Sequence, residues 1–60
     1  MFDMQDYLEV IKNNNGQSVI VVHKDSKVIH TKVIWDNNTF SESLNNLKEK
    51  HKINDVIFKL

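Results

Sequence analysis

Four consecutive apolar β-formers, Val19-Ile20-Val21-Val22, constrain this chain of 60 residues more than any other feature. A strand with one wet face alternates apolar and polar residues, whereas an unbroken run reads as buried on both faces. A second strand-like run, Val28 to Trp35, follows at once. So short a chain has little material with which to cover both faces of a sheet. The expected cover for the second face is another copy of the protein, or a partner.

Sixty residues make a single domain, 1–60. Domains of this size bury roughly 60% of their unfolded surface and draw on disulfides, a metal or oligomerisation for reinforcement. The chain has no cysteine, which removes disulfides and thiolate zinc sites. Oligomerisation is the expected reinforcement, and no cofactor is implied. The first residues, Met1 to Asp6, are acidic where a secretory signal is basic, and no apolar stretch reaches membrane-spanning length. The expectation is a cytoplasmic protein that does not engage a membrane.

Formal net charge is zero, so no general field draws the chain to nucleic acid or anionic lipid. Arginine, alanine and proline are absent while lysine, asparagine and isoleucine abound. Such usage is associated with AT-rich genomes, including those of low-GC bacteria, their phages and mobile elements. Without arginine the chain also lacks the usual means of planar, bidentate recognition of phosphate or guanine.

Hydrophobic spacing predicts an α+β domain in the order α-β-β-α-β. Met4, Tyr7, Leu8 and Ile11 follow the i, i+3, i+4, i+7 stripe of an amphipathic helix. Asp3 is its expected N-cap, with Asp6 and Glu9 in the early turns and Lys12 in the last. Asn13-Asn14-Asn15-Gly16 supplies a stop signal. Ser18–Lys24 and Lys27–Trp35 read as a hairpin about Asp25-Ser26, closed either by that two-residue loop or equally by a four-residue loop, Lys24–Lys27, of the same parity. Strict alternation then gives a core face of Ile20, Val22, Ile29, Thr31, Val33 and Trp35. The opposite face receives Val19, Val21, His23, Val28, His30, Lys32 and Ile34.

Thr39-Phe40-Ser41-Glu42 has the pattern of a capping box. Phe40, Leu44, Leu47 and His51 form the stripe of the helix that follows, and His51 is placed to favour its C-terminus as an imidazolium. Asp55 to Leu60 reads as the last strand, with Val56, Phe58 and Leu60 inward and Ile57 beside Val19 and Val21. The expected sheet has three strands in spatial order 2-1-3, with both helices on one face.

The uncovered face is the candidate binding surface: Val19, Val21, His23, Val28, His30, Lys32, Ile34 and Ile57. An apolar centre with a polar rim is the anatomy of an interface, and the simplest occupant is a second copy, in a homodimer, or an unidentified protein partner. His23 and His30 are diagonal neighbours without a third ligand, so no metal site is read here. Two rivals remain. Lys24, Lys27, Lys48, Lys50 and Lys52 could contact nucleic acid, although Trp35 is expected in the core rather than on a stacking platform. A small nuclease or toxin could use His30 beside Lys24 and Lys32, but nothing in the spacing demands converging catalytic groups. The preferred reading is a small non-enzymatic binding module or modulator.

Overall fold

The computed structural model describes residues 5–12 and 16–59. Within them the chain forms β1 (Tyr7–Lys12), β2 (Ser18–Lys24), β3 (Lys27–Ile34), a 3₁₀ turn (Asn37–Thr39), α1 (Phe40–His51) and β4 (Val56–Lys59). The architecture is α+β, with one helix against a four-stranded mixed sheet of order β3-β2-β1-β4.

The first segment is a strand and not a helix. Tyr7 to Ile11 fits either period, and pairing on both sides decides between them. Leu8 and Val10 are fully buried. Tyr7, Glu9 and Ile11, at the alternate positions, point to the other side of the sheet. β1 runs antiparallel to β2, with Leu8 opposite Val22 and Val10 opposite Ile20. It also runs parallel to β4, with Leu8 opposite Val56 and Val10 opposite Phe58. An isolated helix of this length is marginal, whereas two ladders satisfy the backbone along both edges of the strand. The expected order 2-1-3 is corrected accordingly, because β1 separates β2 from β4. Met4, Asp3, the asparagines at 13–15 and Leu60 lie outside the described residues.

Asp6, expected as a helix acid, instead supports the hairpin. Its Oδ1 accepts from the Asp25 amide at 3.0 Å, and the Gln5 carbonyl accepts from the Ser26 amide at 3.3 Å. Asp25 and Ser26 both have positive φ, 54° and 64°. That is the backbone of a type I′ two-residue loop, whose twist matches that of the flanking strands.

The hairpin register departs from strict alternation at one point. His23 opposes Val28, but Val22 opposes His30, so Ile29 is the extra residue of a β-bulge. One inserted residue sends every later side chain of β3 to the other face. Ile34 is therefore in the core at 3% exposure, opposite the buried Ser18, while Trp35 is 74% exposed. Ile29, Thr31 and Val33, expected inside with Trp35, are exposed as well.

The core consists of Leu8, Val10, Ile20, Val22, Ile34, Leu47 and Ile53, with Phe40, Leu44 and Val56 packed against it. α1 contributes the predicted stripe and covers the face that bears Leu8, Val10, Ile20 and Val22. Phe58 lies on the same side of the sheet as Val10, yet it is 60% exposed. The Thr39 hydroxyl donates to the Asp36 carbonyl at 2.9 Å and makes no cap bond to α1. Asp36 takes the capping role one turn earlier, accepting from the Asn38 amide at 2.9 Å. α1 ends at Lys52, which is in the left-handed region at φ 56°, while the Ile53 amide donates to the Lys48 carbonyl at 3.0 Å. This C-terminal turn delivers Ile53 to the core.

Candidate functional site: the open face of the sheet

No described element covers the face of the sheet opposite α1. Direct cross-strand partners share a face, so the registers place Tyr7, Glu9 and Ile11 there, with Val19, Val21 and His23, Thr31 and Val33, and Ile57 and Lys59. Val19, Val21 and Ile57 are half-buried by their neighbours on the sheet alone. Glu9 lies at the centre, between Val21 on one side and Ile57 on the other.

Glu9 is the best-partnered acid on this face. His23 Nε2 is 2.8 Å from its Oε1, and Lys59 Nζ is 3.0 Å from its Oε2. His23 stacks on Tyr7, with ring centroids 4.2 Å apart and planes within 9°. The hydrogen bond from Lys59, then that from His23, holds the Glu9 carboxyl below its ordinary 4.5 against the opposing effect of burial. The same contact raises the Lys59 ammonium above its usual value. A carboxylate flanked by two cationic or donor groups is held in place and satisfied, and the valines around it are half-buried or exposed. The result is an apolar patch with a closed polar centre.

Several expected site residues belong here, and others do not. Val19, Val21, His23 and Ile57 share the face, and Val28, opposite His23, is 58% exposed. The bulge moves His30 and Lys32 to the α1 side, opposite Val22 and Ile20, and it buries Ile34. His23 and His30 therefore do not form a rim together. Among the described residues, no group of three His, Asp or Glu side chains could hold a metal ion. Tyr7, Glu9 and Val33 were missed in the sequence because the helical reading of residues 4–11 and the unbroken alternation of β3 placed them elsewhere. The run of β-branched Val10 and Ile11 after Tyr7 is the signal that favours a strand.

His30 meets His51 instead, with ring centroids 6.5 Å apart. The His51 Nε2 is buried without a hydrogen-bond partner. Burial first, then the neighbouring Lys50, His30 and Lys24, pushes the His51 imidazole below its usual value. It is thus disfavoured as the imidazolium expected at this helix end. The hairpin lysine Lys24 and the helix-end Lys50 both lie within electrostatic reach of His51.

A groove of about 450 Å³ runs between the end of β3 and α1. It is lined by Lys32, Val33, Ile34, Trp35 and Asp36 from the strand side, and by Thr39, Glu42, Ser43 and Asn46 from the helix side. No helix among the described residues is long and apolar enough to cross a membrane. No protein-family model, curated protein or solved structure matches the chain.

Proposed function

We propose that the protein is a non-enzymatic binding module that engages another macromolecule, a second copy or a different protein, through the open face of its sheet. The observation that carries this reading is the pairing of Val19, Val21, Val33 and Ile57 around a satisfied Glu9–His23–Lys59 centre, on a face that no described element covers. Internally satisfied polar groups bring no unpaired charge to an interface, and the surrounding aliphatic side chains supply apolar area. The test is capture of partners by the immobilised protein, repeated with Val21→Asp and with added salt. The reading expects capture to be lost with Val21→Asp and retained in high salt. Equal capture by the variant would refute it.

A nucleic-acid reading stands second, supported by two observations. Trp35 is 74% exposed and free to stack on a base, and at the opposite, hairpin end of β3 Lys24 and Lys50 both act on His51. Lys27, Lys48 and Lys52 extend the set in sequence. Its signature in the same assay is capture that falls steeply as salt rises.

A further inference from the structure

The two edges of the sheet are unequal. β4 is four residues long, while β3 runs for eight and only Ile34 in it is buried. Val28 is 58% exposed, Ile29 47%, Val33 44% and the following Trp35 74%. An edge strand presents a row of unpaired backbone donors and acceptors, and proteins usually blunt it with proline, brevity, charge or a bulge. The chain contains no proline. The bulge at Ile29 disturbs only the first half of β3, which leaves His30 to Ile34 as a regular ladder, open on its outer side among the described residues.

We propose that this ladder pairs with itself: β3 of one molecule adds antiparallel to β3 of a second, about a two-fold axis at Val33, to make a continuous eight-stranded sheet. The inference rests on the reading of the chain as a binding module and names both the edge and its occupant. A two-fold axis normal to the sheet keeps each face on its own side, so residues that pair across it must share a face. Thr31 and Val33 share the open face and Lys32 and Ile34 the α1 face, which leaves axes through single residues. An axis at Lys32 sets two ammonium groups opposite each other, which is repulsive. An axis at Thr31 drives the bulged Ile29 into the ladder. An axis at Ile34 runs Thr31 and His30 against the 3₁₀ turn at Asn37–Thr39, whereas an axis at Val33 avoids all three.

That register sets Val33 against the partner's Val33, Thr31 against the partner's Trp35, and His30 against the partner's Asp36. The last pair sets an imidazole against a carboxylate. It also sets Lys32 against the partner's Ile34, on the side where the groove is rimmed by Glu42. The open faces of the two sheets become contiguous, and Val19, Val33 and their counterparts form one apolar strip.

The chain has no cysteine, so introduced thiols report the register directly. Val33→Cys and Thr31→Cys are oxidised under mild conditions and followed by non-reducing electrophoresis, alongside sedimentation of the unmodified protein over a dilution series. The expectation is a concentration-dependent dimer, rapid cross-linking of Val33→Cys and slow cross-linking of Thr31→Cys. Val33→Glu should raise the dissociation constant at least about tenfold, with circular dichroism confirming the fold. If Val33→Glu fails to fold, the cysteine pair decides alone. A strictly monomeric protein, equal cross-linking of both thiols, or a dimer indifferent to Val33→Glu overturns the proposal. A dimer abolished by Val21→Asp but not cross-linked through Val33→Cys overturns the edge while leaving the binding face intact.

Discussion

Ile34→Val and Trp35→Ser read out, in a single pair of measurements, whether β3 carries its bulge. Ile34 is 3% exposed and packs in the core with Ile20 and Leu47, whereas Trp35 is 74% exposed. Removing one buried methylene from a position that cannot fully collapse costs about 1 kcal/mol. A domain of this size has only about 3–5 kcal/mol in total, so the loss is a large fraction and lowers Tm by about 4–8 °C. At dilutions where the protein is monomeric the exposed Trp35 has few neighbours to lose, and its replacement should stay within about 0.5 kcal/mol. Strict alternation predicts the reverse: truncating a buried tryptophan costs about 3–5 kcal/mol, enough to unfold the chain, and Ile34→Val is silent. Urea unfolding followed by far-ultraviolet circular dichroism gives both values without relying on the tryptophan signal. An unfolded Trp35→Ser protein beside an unchanged Ile34→Val protein refutes the bulge and the core assignment with it.

Stability should fall in two separate windows of acidic pH. His51 binds its proton less readily folded than unfolded, so its stabilising contribution is complete above the ordinary 6.5 and is lost as pH falls below it. Glu9 is held below its ordinary 4.5, so its contribution is present above that value and is lost as pH drops through the lower folded value. The urea midpoint against pH checks both: His51→Leu should flatten the first window and Glu9→Gln the second, and an unaltered profile in either variant contradicts the assignment. Ser26→Gly should raise stability by about 1 kcal/mol, because Ser26 has φ 64° in the turn and glycine adopts that conformation without steric penalty. A lower midpoint for that variant would show that the loop is not of the I′ type.

The parts of the fold that were legible in the sequence depend on neighbouring residues alone. The Phe40–Leu44–Leu47 stripe appears where 3.6-residue spacing puts it, and the Asp25-Ser26 turn falls where two β-branched runs leave a gap. Residues 7–12 were ambiguous because Tyr7, Leu8 and Ile11 satisfy a helical period while Leu8 and Val10 satisfy a strand period. The capping pattern at Thr39 was equally local, yet the hydroxyl found the Asp36 carbonyl instead. Much of the candidate site followed from the first ambiguity, since Glu9 reaches His23 and Lys59 only when β1 lies between β2 and β4.

By itself the sequence determined that β2 would be apolar on both sides, that a hairpin would join it to β3, and that a helix would lead to a final strand. Only the tertiary structure decided that the first segment enters the sheet. It also decided that one extra residue at Ile29 exchanges Trp35 for Ile34 in the core. The reason is that side-chain period is a property of the local backbone, whereas strand order and register depend on which distant backbone groups find partners. A single unpaired residue, without glycine to announce it, reassigns every face beyond it.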